Sequence, residues 1–127
     1  MGKSPKSEAS LRTTVTASDT AAGFGPDFPE AASTPFVLGL AEVASHNAVR
    51  ARLDPGDITV GVHAEIDHLA PSPIGAKLTA HSRLVARRGR RLFFRIDVLD
   101  GNNVVARVKH QRAVVNAARM RERLGGR

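Results

Sequence analysis

One stretch of helical periodicity, followed by a long region that alternates only as strands do, constrains this chain more than any other feature of its sequence. The helix opens at Ser33-Thr34-Pro35, a start signal because proline's fixed φ suits the first helical position. Apolar residues then recur at Phe36, Val37, Leu40, Ala41, Ala44, Ala48 and Val49, and Asp54-Pro55-Gly56 ends the element. The β-branched residues 11–16 precede it as a first strand. Residues 17–33 lie between, where Gly23, Gly25, Pro26 and Pro29 break regular structure and Phe24 and Phe28 are the only large apolar residues.

Residues 58–69 alternate, with Val60, Val62, Ala64, Ile66 and His68 on one face and Thr59, Gly61, His63, Glu65 and Asp67 on the other. Strands are predicted at 77–86, 92–99 and 104–115, joined by an arginine-glycine tip at 87–91 and the turn Asp100-Gly101-Asn102-Asn103. The order predicts a strand, a long helix and four strands in an antiparallel meander. Residues 1–10 and 116–127 read as flexible tails, the second charged and helical or frayed, on a single domain spanning 1–127. One helix against one antiparallel sheet is an α+β two-layer arrangement. About five strands wrapped round one long central helix make a hot-dog fold. Such folds usually dimerise, because one helix cannot cover the sheet, so a homodimer or a tetramer is expected.

Composition removes several function classes. At 127 residues the chain is long enough for one real core. It has no cysteine, which excludes disulfides, thiolate metal sites and a cysteine nucleophile. No apolar run is long enough to span a membrane, and the N-terminus lacks the apolar stretch of a secretory signal, so a cytoplasmic protein without a membrane partner is expected. The net charge of +7 suggests an anionic partner, either nucleic acid or a phosphate-bearing small molecule. Five Phe, with no Trp or Tyr, leave little to stack on bases, so no nucleic-acid partner is assigned. His63, Glu65 and Asp67 share a face, but polar residues alternating on a strand are ordinarily solvent-facing; no metal and no cofactor is assigned.

Four polar residues stand out, three of them where core residues are expected. Glu42 interrupts the apolar run 36–44, and an unpaired carboxylate there is costly to bury. It is either part of a site or a surface group, solvated or paired with His46 one turn on. His68 ends an apolar strand face, as a site residue or a hydrogen-bonded core histidine. Arg112 shares a face with Val104, Ala106, Val108 and Val114, where a guanidinium needs a partner. Thr34 has an ordinary role available as helix N-cap.

The run Thr34-x-Phe36-x-x-Gly39-Leu40-x-Glu42 resembles the start of the central helix in the fluoroacetyl-CoA thioesterase family of hot-dog enzymes. Gly61 with His68, Ala70-x-x-Pro73-x-Gly75, Gly89-Arg90-Arg91-Leu92-x-x-Arg95, Asp100-Gly101 and His110-x-Arg112-Ala113-Val114 are similar to that family in the same order, over about residues 24–115. The resemblance implies an acyl-CoA thioesterase acting on a small acyl-CoA, with Thr34, Glu42 and His68 catalytic. It implies Gly61, Arg112, Phe28 and Phe36 as substrate-contacting positions, with sites at a dimer interface. The chain departs from the fluoroacetyl-selective pattern at Gly25, where a gate phenylalanine is replaced, and at Pro35, where glycine is the family residue. The alternative is a non-catalytic acyl-CoA-binding module of the same fold.

Such a set suits thioester hydrolysis, which needs a nucleophile, a base and oxyanion donors. Amides at the start of the helix are candidate oxyanion donors, and the arginines at 87–91 either meet the phosphates of CoA or form a solvated tip.

Overall fold

The structure is a computed structural model that describes residues 7–125. Its elements are β1 (Glu8–Thr14), α1 (Thr34–Val49), β2 (Asp57–His68), β3 (Lys77–Arg88), β4 (Arg91–Asp100), β5 (Asn103–Asn116) and α2 (Ala117–Gly125). The five strands form one antiparallel sheet in the order β1-β3-β4-β5-β2, with α1 packed chiefly on β3 and β1. The α+β hot-dog expectation holds. Residues 1–6 and 126–127, the outer parts of the two expected tails, lie outside the described residues. The inner parts are ordered into elements: β1 starts at Glu8, and α2 is held at its first residue by Ala117 N–H donating to Gly56 O at 2.9 Å.

The meander needs correction. β3, β4 and β5 follow one another across the sheet, but β2 pairs with β5 at the far edge. The connection 69–76 contains Pro71 and Pro73 and bonds elsewhere instead of closing a hairpin. Leu69 N–H donates to Val105 O and Ala32 N–H to Ser72 O, both at 2.8 Å.

The faces of β2 also differ from the sequence pattern. Gly61 lies opposite Arg112 and His63 opposite Gln111, so Val62 is an extra residue in a bulge. One inserted residue reverses which side chains face inward. Thr59 and Gly61 therefore share the helix-facing side with Ala64, Ile66 and His68, whereas Val62 is 46% exposed.

The core follows from the helical spacing. Val37, Leu40, Ala41, Ala44 and Val49 of α1 are buried against Leu78, Ala80, Leu92, Phe94, Ile96, Val98 and Val108 of the sheet. Ser45 pins the two layers together. Its hydroxyl donates to Ala41 O at 2.7 Å, so Ser82 must donate in the fully buried 2.8 Å contact between their hydroxyls. On the opposite side of α1, Val43 is half exposed, and the outer edge of β2 has no strand beside it among the described residues. Among the described residues no helix is long and apolar enough to cross a membrane.

Candidate active site

Ser33, not Thr34, caps α1. Its Oγ accepts from Phe36 N–H at 3.1 Å, and its carbonyl accepts from Val37 N–H at 3.0 Å. The local rule that favours a hydroxyl residue at the cap is satisfied one position earlier, which frees the Thr34 hydroxyl. That hydroxyl lies 2.8 Å from His68 Nδ1, at the end of β2. The other ring nitrogen, His68 Nε2, is buried and has no hydrogen-bond partner among the described residues. A buried imidazole nitrogen without a partner is costly, so the pair is incomplete as it stands. The two residues line a cavity of about 280 Å³ whose wall includes Ala21, Pro29 and Ala31 from the 17–33 loop.

Glu42 is held differently. Arg112 Nη1 donates to its Oε2 at 2.9 Å. The same guanidinium donates from Nε to Thr59 Oγ1 at 2.8 Å and from Nη2 to Thr59 O at 3.0 Å. His110 Nδ1 must donate to His63 O at 2.7 Å, because a carbonyl only accepts. Its Nε2 then offers a lone pair to Arg112 Nη1 at 3.0 Å. Thr59 Oγ1, which accepts from Arg112, also shares a 2.7 Å hydrogen bond with His46 Nδ1. Burial, and then the Arg112 charge, hold both His46 and His110 below the ordinary histidine pKa; the bond to His63 O opposes this at His110. Gly61 completes the arrangement. A Cβ there would run into the Glu42 carboxylate and lie 3.3 Å from His110 Cε1.

The sequence-derived residues thus form two groups within one chain. Thr34 with His68 is one and Glu42 with Arg112 and Gly61 is the other, with Thr34 and Glu42 about 12 Å apart along α1 by helical rise. His46 pairs with Thr59, so the surface Glu42–His46 pair does not form. Phe28 is 53% exposed and meets Phe24 edge-on, with ring centroids 6.4 Å apart; Phe36 packs half-buried against the core. Neither lines the cavity at Thr34 and His68. Pro35 has no N–H and the Phe36 and Val37 amides are taken by Ser33, so Thr34 N–H is the amide left in the first turn for an oxyanion. Thr59, His46 and His110 are the members sequence reasoning missed. Thr59 was assigned to the wrong face by the bulge, and His110 stands in the matched block His110-x-Arg112.

A model of the fluoroacetyl-CoA-specific thioesterase family matches residues 15–118. The fluoroacetyl-CoA thioesterase of Streptantibioticus cattleyicolor is 34% identical over 90 residues, 71% of this chain and 65% of that protein's length. A solved structure of a fluoroacetyl-CoA thioesterase superposes with a TM-score of 0.88 at 26% identity, covering 100% of this chain and 98% of that one. A variant of that enzyme in complex with fluoroacetate and CoA gives a TM-score of 0.84 at 28% identity, over 92% and 96% of the two chains. A hot-dog-like protein from Thermanaerovibrio acidaminovorans, 23% identical with a TM-score of 0.85 over 95% and 90%, shares the fold.

Proposed function

The chain is a member of the fluoroacetyl-CoA-specific thioesterase family, and we propose that it hydrolyses small acyl-CoA thioesters as a homodimer. Each site is built from Thr34 and His68 of one subunit and Glu42 of the other. The observation that carries this reading is His68: one nitrogen is on the Thr34 hydroxyl and the other is buried without an acceptor. For the hydroxyl to be activated it must donate to Nδ1, which puts the ring proton on Nε2. A carboxylate is the natural acceptor there, as in other nucleophile–histidine–acid relays.

Within one chain Glu42 stands two turns away, but β2 has a free edge of 12 residues, with Val62 and Val43 exposed beside it. Antiparallel pairing of β2 with its copy, centred midway between residues 61 and 68, sets Gly61 and the neighbouring Glu42 opposite the partner subunit's His68. Arg112 anchors Oε2 of Glu42, and Oε1 has no partner among the described residues.

In the reaction, His68 takes the proton of a water held by the Thr34 hydroxyl, or of that hydroxyl itself, as attack on the thioester carbonyl begins; where the hydroxyl attacks, the acyl-threonine ester it forms is then hydrolysed by a water that His68 deprotonates in turn. Thr34 N–H stabilises the developing oxyanion, and the proton then passes to the departing CoA sulfur. Arg112 and Gly61 hold Glu42 and leave it room. Phe36 and Phe28 stand outside the lining of the cavity at Thr34 and His68, so the Phe28–Phe24 pair meets the acyl group only where the 17–33 loop closes over it. A cavity of about 280 Å³ suits a short acyl group. Gly25 and Pro35 argue against selectivity for the fluoroacetyl group.

The test is free thiol released from a panel of short acyl-CoAs by wild type, Glu42→Gln and His68→Ala. Each substitution is expected to lower turnover by about 10²-fold or more. Mixing the two variants restores about a quarter of wild-type activity if a two-fold dimer re-pairs at random and its sites span both subunits. No recovery places the site within one subunit. No thiol release from any acyl-CoA by wild type favours the non-catalytic binding module.

A further inference from the structure

The hairpin tip rich in arginine and the charged C-terminal helix meet at a second cavity, of about 260 Å³, which plays no part in the chemistry above. It is lined by Arg90, Arg119 and Arg123, with Asn116 and the apolar Val114 and Met120 among its other walls, and no carboxylate lines it. The remaining arginines of the tip are engaged by the hairpin itself. Arg87 Nε donates to Gly89 O at 2.9 Å, Arg91 Nη1 to Gln111 Oε1 at 3.1 Å, and the Arg88 guanidinium lies 5.7 Å from the Phe93 ring centroid. Arg90 turns the other way, with Nη1 at 3.4 Å from Val114 O.

Arg119 and Arg123 are one turn apart on α2, a spacing at which like charges repel. Among the described residues neither guanidinium has a hydrogen-bond or ion-pair partner. Three arginines brought together from two elements, with no carboxylate among the lining residues, form a site whose repulsion an anion relieves. The site adjoins the Glu42 group. Ile58 and Thr59 line the cavity at Glu42, and their opposite numbers on β5, Val115 and Val114, line this one. Residues lining the two cavities are thus direct neighbours across the β2–β5 ladder.

We infer that this cavity binds the phosphates of the nucleotide end of coenzyme A, with Arg90, Arg119 and Arg123 as their partners. The inference rests on the acyl-CoA reading above. A CoA thioester is small and uncharged at the reacting end, and carries a diphosphate and a ribose phosphate at the other. Planar guanidinium forks match phosphate oxygens two at a time.

The experiment compares kcat/KM for an acyl-CoA with that for the same acyl group on pantetheine, which lacks the nucleotide. In Arg119→Ala/Arg123→Ala the preference for the CoA form is expected to fall about tenfold, through KM, the loss of roughly one charge-assisted contact. Calorimetry with adenosine 3′,5′-bisphosphate is expected to show binding to wild type, loss in the double alanine variant, and partial retention in Arg119→Lys/Arg123→Lys. An unchanged substrate preference, or bisphosphate binding that survives the alanine substitutions, overturns the site. If wild type hydrolyses no acyl-CoA, the thioesterase reading fails, and the bisphosphate titration alone still decides this site.

Discussion

The two halves of the candidate site differ in how completely their hydrogen bonds are satisfied. Around Arg112 the guanidinium has four partners, in Glu42, Thr59 through two atoms, and His110, and each histidine is fixed by a further bond. Around His68, among the described residues, there is one hydrogen bond, to Thr34, and a buried nitrogen without a partner. A closed network holds a residue in one place, because every departure costs a bond. An open pair can take a ligand or a partner group without giving one up. The difference assigns anchoring to the Arg112 end and exchange to the His68 end.

Three measurements break or sharpen that contrast. The largest effect is expected at Arg112, which is buried and central. Arg112→Ala leaves the Thr59 hydroxyl and carbonyl without their donor, beside a Glu42 carboxylate that water still reaches, and is expected to cost about 2–4 kcal/mol of folding stability. Thr34→Ala is expected to cost no more than about 1 kcal/mol, since Ser33 keeps the cap. Urea unfolding of both variants checks this, and equal losses would erase the distinction between anchor and exchanger.

Gly61→Ala comes next. Its methyl meets the Glu42 carboxylate and is expected to destabilise by about 1–3 kcal/mol through overpacking. Adding Glu42→Ala removes the obstacle, so the double mutant should regain part of the loss, and strict additivity would refute the contact.

The smallest effect is on pH dependence. Burial keeps His46 and His110 neutral in the folded state, below the ordinary value of about 6.5. The unfolded chain then binds more protons as the pH falls through that value, so stability is present above it and is lost on acidification. The urea midpoint should drop between pH 7.5 and 5.5, less steeply in His110→Asn. A flat wild-type profile contradicts the assignment.

How far the site could be read from sequence depended on whether a residue's role was local. The start of α1 was legible from Pro35, because proline acts on the backbone where it stands, but the helix stops at Val49 and passes into a 3-10 turn over Arg50–Arg52, ahead of the expected stop at Asp54-Pro55-Gly56. Glu42, His68 and Arg112 were legible as polar residues at apolar positions. Which of them touch was not, since Arg112 and Glu42 are distant in sequence and meet only where α1 packs on the sheet. The ordinary cap role open to Thr34 on local grounds is taken by Ser33, which satisfies the same rule. The bulge at Val62 was invisible because the apolar alternation of Val60, Val62 and Ala64 continues straight through it, and with it went Thr59.

The sequence by itself determined one long helix, a strand-rich remainder and an α+β layering, since periodicity and turn chemistry are properties of neighbouring residues. The tertiary structure alone decided that β2 crosses to the far edge, that Gly61 faces Glu42 and that the tail arginines meet the hairpin tip. Those outcomes depend on strand order and register, which are set by the packing of the whole sheet on α1, and no short stretch of the chain carries that information.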